Sequence, residues 1–160
     1  AEFVKYFTKT SNYEVYVRPF LPLPSPQLLM KVLAHAALFG LLRDTRKIDL
    51  SLKLDSNSII VFWGAITENP GALANVTTLV LSSNQIGDDG MTSFSDAVAS
   101  GALANLEYLD LNRNMISDVG IFAFADAIKP TPENPMGQLP RFEGLALNHN
   151  AIGDAGLTAL

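Results

Sequence analysis

The chain has no cysteine among its 160 residues, which excludes disulfide staples, zinc-thiolate sites and cysteine nucleophiles. Charge is also scarce: 17% of residues are charged and 48% apolar, where a soluble domain usually carries about 25% charged residues. A surface so poor in charge predicts that a partner covers part of it. Histidine is confined to His35 and His149. His35 falls in an apolar stretch and is expected to pack or hydrogen-bond rather than act as a base. No HExxH motif, calcium-loop alternation or strand-GxGxxG-helix order is present, so no metal, cofactor or catalytic residue is expected.

The charge that exists is unevenly placed. Residues 1–50 hold seven basic and four acidic side chains, and residues 51–160 hold four basic and twelve acidic. The larger part therefore carries a net charge of -8 (four minus twelve). With no basic cluster interleaved with aromatics, nucleic acid is not an expected partner.

What the chain has in abundance is repetition. VTTLVLSSNQIGDDGM at 76–91, LEYLDLNRNMISDVGI at 106–121 and FEGLALNHNAIGDAGL at 142–157 align in phase. Leu79 precedes Leu109 by thirty residues, and Leu109 precedes Leu145 by thirty-six, the excess lying in KPTPENPMGQLP at 129–140. Leucines at 79 and 81, 109 and 111, and 145 and 147 alternate with small or polar residues, the period of a short strand with one buried face. The asparagines at 84, 114 and 150 then offer amides that can satisfy backbone groups where a strand bends into a turn. Asp88, Asp118 and Asp154 stand where a carboxylate meets the free amides of a helix start. Met91, Phe94, Ala97 and Val98, and likewise Ile121, Phe124, Ala127 and Ile128, recur at threes and fours and predict one buried helix face.

This pattern, with its N-x-I-x-D-x-G turn, resembles the leucine-rich repeats. The form of the turn and the long helix are similar to the ribonuclease-inhibitor-like subclass found in many proteins of algae and other protists. The resemblance covers residues 72–160. It implies an α/β solenoid with short parallel strands on a concave face, helices on a convex face, and a role in binding proteins.

Upstream, LSLKLDSNSI at 50–59 suggests a degenerate copy with Leu52, Leu54 and Asn57 in phase. Glu68-Asn69-Pro70-Gly71 should end the helix that follows it. Repeats are accordingly expected over 48–160, with clear copies starting near 76, 106 and 142. Residues 1–47 are expected to form an irregular cap or degenerate repeat. In that part Ser25 and Pro26 open a buried helix over 26–43 whose polar stripe is limited to Lys31 and His35. YEVYV at 13–17 alternates like a strand, with Val15 and Val17 on one face. PFLPLPSP at 19–26 reads as an extended connector. The last copy reaches only one turn into its helix, which leads us to expect continuation of the chain beyond Leu160 or a partner on that edge.

If Leu109 and Leu111 face the core, then Tyr108, Asp110 and Asn112 face the concavity. Thr78, Val80 and Ser82 lie on one side of them, and Gly144, Ala146 and Asn148 on the other. Arg113 and His149 stand at the strand ends. Thr78, Val80, Ser82, Tyr108, Asp110, Asn112, Arg113, Asn148 and His149 are therefore the candidate protein-binding residues, centred on the aromatic-plus-charge group of Tyr108, Asp110 and Arg113. The expected function is a noncatalytic interaction or scaffold module. Two further expectations stand beside it. One is an accessory subunit of a large, membrane-associated complex, held through the apolar segments 28–42 and 59–66. The other is the recognition part of a longer enzyme.

Overall fold

The computed structural model describes residues 7–9, 14–17, 25–38, 40–51 and 54–160. Most of the expected proline connector, at 19–24, lies outside them, as do Leu52 and the side chains of Val15 and Val17. The described elements are β1 (Phe7–Lys9), β2 (Glu14–Val17), α1 (Pro26–Leu38), β3 (Lys47–Asp49), α2 (Ser56–Glu68), β4 (Thr78–Val80), α3 (Gly87–Ala99), β5 (Tyr108–Asp110), α4 (Asp118–Ile128), β6 (Gly144–Ala146) and α5 (Asp154–Ala159). The strands form one open sheet in chain order. β1 and β2 are antiparallel and every later pair is parallel.

The register has no stagger. Val15, Ile48, Leu79, Leu109 and Leu145 stand opposite one another across five strands. Ile48, Leu79 and Leu109 are wholly buried, because each strand turns every second side chain toward the helices. α1 to α5 pack side by side in the same order. This is the α/β repeat solenoid expected from the leucine spacing.

Two rows of residues hold the repeats together. An aromatic series, Phe62, Trp63, Phe94, Phe124 and Phe142, runs through the helical layer with successive ring centroids 4.7, 5.0, 5.8 and 6.0 Å apart. Beneath it the asparagines form a ladder. The side-chain amides of Asn84, Asn114 and Asn150 donate to the carbonyls of Leu50, Leu81 and Leu111, each in the preceding repeat, at 2.9, 2.8 and 2.9 Å. Asn150 Oδ1 accepts from the amides of Asn114 and Ile116, and Asn84 Oδ1 from Leu54. The role expected of these amides is observed, and it acts between repeats.

The aspartates act in the opposite direction. Asp88 lies in the first turn of α3, yet its carboxylate accepts from Ser117 N, Ser117 Oγ and Gly120 N at the start of α4. Asp118 does the same for Gly153 N and Gly156 N of α5. Each carboxylate therefore caps the helix of the next repeat, where α5 has no side-chain cap of its own. The glycines are the counterpart: a Cβ at Gly120 would stand 2.7 Å from the Asp88 oxygen, and one at Gly156 would collide with the Asp118 oxygen.

The N-terminal part departs from expectation in two places. The helix expected over 26–43 starts as predicted, with Ser25 Oγ accepting from Leu28 N at 3.3 Å, but it ends at Leu38. Gly40 takes φ +71°, and the Gly40 and Leu41 amides return to the carbonyls of Ala37 and Ala36. That glycine stop turns the chain, so Leu42 packs into the core from a turn. The early copy is also displaced by four residues. Ile48, not Leu52, stands opposite Leu79, and Asn57 is an exposed residue of α2 rather than a ladder asparagine. IDLSLKLD alternates over four apolar residues, and a pure period of two carries no mark of phase. The phase is set by Asp55, which caps α2 through Ser58 N at 2.8 Å, and by the Leu54 amide bound to Asn84.

Candidate functional site

The sheet face opposite the helices presents three rows. Lys47, Thr78, Tyr108 and Gly144 form the first, and Asp49, Val80, Asp110 and Ala146 the second. Continuing the alternation gives Ser51, Ser82, Asn112 and Asn148 as the third. The sequence-predicted site residues on β4, β5 and β6 are thus brought together on one surface. Lys47, Asp49 and Ser51 join them from β3. Sequence reasoning missed these three because it placed the early copy in the wrong phase, although Ile48 and Leu50 alternate as clearly as Leu79 and Leu81.

Hydrogen bonds within the face hold these side chains in place. Ser51 Oγ bonds to Asp49 Oδ1 at 3.0 Å and lies 3.1 Å from Ser82 Oγ. Asp110 Oδ1 accepts from Asn112 N at 2.9 Å, and Asn112 Oδ1 accepts from Asn148 N at 2.6 Å. The Tyr108 ring lies over Gly144: a Cβ on that glycine would come within 2.7 Å of the ring. Tyr108 remains 42% exposed. The result is an aromatic plate beside Asp110, bordered by the small residues Gly144 and Ala146.

Ser83, Arg113 and His149 occupy equivalent places where each strand ends, and all three adopt left-handed backbone, with φ of 60, 59 and 59°. The Ser83 and Arg113 amides donate to the Asn112 and Asn148 carbonyls of the following repeat at 2.9 Å. This bend keeps Arg113 and His149 exposed at the rim. His35 is remote from this surface in sequence and hydrogen bonding, with Nδ1 donating to the Lys31 carbonyl in its own helix at 2.8 Å.

Of the acidic residues singled out as helix starts, Asp88 and Asp118 are used inside the fold, whereas Asp154 is exposed. Partial burial pushes the Asp88 carboxyl up, but hydrogen bonds from Ser117 and Gly120 outweigh it and hold the group below the usual carboxylate range. Asp55 is lowered in the same way, first by the Ser58 hydroxyl and then by the Ser58 amide.

The apolar segments are largely consumed by the core. Met30, Leu33, Ala34, Ala36, Ala37 and Leu42 of the first are buried, as are Ile59, Phe62, Trp63 and Ile66 of the second. Leu28, Leu41 and Val61 remain exposed. Among the described residues, no helix is long and apolar enough to cross a membrane.

The Leucine Rich repeat family model matches the chain at residues 72–95, 102–125 and 143–160, one match for each of the three clear copies. A comparison with curated proteins finds no match. Leucine-rich repeats generally serve as noncatalytic modules for contact between proteins.

Proposed function

We propose that this chain is a noncatalytic scaffold that binds a protein partner on its concave face, with Tyr108, Asp110 and Arg113 at the centre of contact. We assign its repeats to the ribonuclease-inhibitor-like form on their long helices and N-x-I-x-D-x-G turns. The observation that carries the proposal is the unstaggered register. It sets Thr78, Tyr108 and Gly144 in one row and Val80, Asp110 and Ala146 in the next, so the spacing of side chains is set by the backbone. An aromatic ring beside a fixed charge on such a surface is the usual composition of a binding hot spot. Neighbouring Thr78, Val80, Ser82, Asn112, Asn148 and His149 complete the contact area.

The test is site-specific photo-cross-linking of the chain in its native setting, with the reactive group placed in turn at Thr78, Tyr108 and Asn148, and at Thr92 on α3 as control. The proposal expects one shared adduct from the three concave positions and its loss on Tyr108→Ala. Adducts from Thr92 alone would sink it. Anchoring in a membrane-associated complex through segments 28–42 and 59–66 is the weaker reading, supported by the exposure of Leu28, Leu41 and Val61. With the reactive group also placed at Leu28, Leu41 and Val61, adducts confined to those three positions would favour it.

A further inference from the structure

The helical side of the molecule has an asymmetry that the repeat fold does not require. α3, α4 and α5 together carry Asp88, Asp89, Asp96, Asp118, Asp126 and Asp154 and no Lys or Arg. Asp88 and Asp118 serve as caps inside the fold, whereas Asp89, Asp96, Asp126 and Asp154 are exposed. Among these carboxylates stand Met115, Val119 and Phe122, which are 69, 63 and 46% exposed. Val119 and Phe122 lie on the outer face of α4, which continues to Asp126, and Met115 stands before the helix in left-handed backbone with φ 61°. The same places hold Gln85, Asp89 and Thr92 one repeat earlier, and Ala151, Ala155 and Thr158 one repeat later. Stacking of repeats therefore does not call for large apolar side chains there, and exposing them gains nothing for stability.

We propose that this face docks an amphipathic helix whose polar side is basic. The exposed Val119 and Phe122 of α4, with Met115 just before it, offer apolar contact to the anchors of such a helix, which recur at three- and four-residue intervals. The exposed Asp89, Asp96, Asp126 and Asp154 outnumber the neighbouring cation Lys129, which follows α4 and borders Phe122 and Asp126, so lysines and arginines flanking the anchors meet complementary charge. The same carboxylates would repel an anionic membrane surface. They would also repel the equivalent face of a second copy, which brings its own aspartates to the contact.

The test uses the full chain and a labelled peptide about fourteen residues long, built only of leucine and lysine with leucines at the anchor spacing. Its counterpart replaces every lysine by glutamate. Fluorescence anisotropy is read at low and high salt. The lysine peptide is expected to bind, more weakly at high salt, and its glutamate counterpart about tenfold more weakly or worse. Phe122→Ser and the pair Asp89→Lys with Asp126→Lys should each reduce binding about fivefold or more, and Tyr108→Ala should leave it unchanged. The charge-reversed pair alters only exposed side chains, so it carries the test alone if Phe122→Ser lowers the melting temperature. Equal binding of the two peptides, or equal binding by the parent and the charge-reversed chain, overturns the proposal. So does a dimer in sedimentation velocity that Phe122→Ser dissolves, because the occupant would then be a second copy.

Discussion

The carboxylate of Asp88 holds the amide of Gly120 at 3.0 Å, although the two belong to helices of successive repeats. Asp118 repeats the contact with Gly156 at 3.1 Å. Opposed to them is the asparagine ladder, in which Asn84, Asn114 and Asn150 each bond back to a leucine carbonyl of the preceding repeat. Successive copies are thus joined in both directions at places where a strand end or helix start would leave backbone groups unpaired. The candidate surface rests on these two series.

Gly120 should be intolerant of a methyl group. Its Cβ would meet Asp88 Oδ1 at 2.7 Å, Ile116 Cγ2 at 3.0 Å and Met91 Cβ at 3.1 Å. Gly120→Ala is predicted to destabilise by about 2 kcal/mol, outweighing the gain in helix propensity of about 1 kcal/mol. Gly64, in α2, is exposed, and a Cβ there meets nothing within 4 Å. Gly64→Ala should therefore stabilise, by about 0.5–1 kcal/mol. Urea unfolding followed by fluorescence of the buried Trp63 reads both. A stabilised Gly120→Ala would show that the contact with Asp88 is not restrictive.

Asp88 should make stability depend on pH in a defined direction. Its folded pKa lies below the ordinary value, so its contribution is fully present above the unfolded value of about 3.9 and is lost as pH falls through the folded pKa. Asp88→Asn removes the titration and weakens the acceptor, with a cost of about 1 kcal/mol at neutral pH. The variant should differ most from the parent near pH 6 and converge toward it as the solution becomes strongly acidic. Parallel unfolding curves from pH 6 to pH 2 would refute this assignment.

Asn84 should be among the costliest polar residues to remove. It is 4% exposed, donates to the Leu50 and Leu81 carbonyls at 2.9 and 2.6 Å, and accepts from Leu54 N at 2.8 Å. Asn84→Ala leaves the Leu50 carbonyl and the Leu54 amide without their side-chain partner, each at about 1 kcal/mol or more, while the Leu81 carbonyl keeps the Asn114 amide. A loss of about 2 kcal/mol is expected in urea unfolding, and a loss below about 1 kcal/mol would mean that water replaces the amide.

Most of the solenoid is legible in the sequence because its rules are local. A period of two ending in asparagine and followed by helical spacing identifies β4, β5 and β6, and so most of the candidate surface. Four features were not legible. The phase of IDLSLKLD was open because both registers bury leucines, and the bond from Leu54 N to Asn84 that helps to fix it spans thirty residues. The stop at Gly40 was masked by apolar residues on either side, which read as continued helix until the positive φ is known. The exposure of Val119 and Phe122 was missed because α4 is apolar nearly all round, so composition does not separate its buried face from its exposed one. That Asp88 serves the following helix rather than its own also required the packing of α3 against α4.

Arg113 offers a means of separating stability from binding. It holds φ at 59°, a conformation that costs a non-glycine residue about 1 kcal/mol, and its side chain is exposed at the rim beside the concave face. Arg113→Gly removes the strain, against which the greater freedom of glycine in the unfolded chain acts. The expected balance is a gain of about 0.5 kcal/mol in urea unfolding. If Arg113 is retained for contact, the same substitution should abolish the concave cross-link to the partner while the fold becomes more stable. Arg113→Lys keeps the charge and the strain, so it should leave stability unchanged and lower the cross-linking yield only partly. A glycine variant that is more stable and still cross-links fully would show that Arg113 lies outside the contact, and would move its centre to Tyr108 and Asp110.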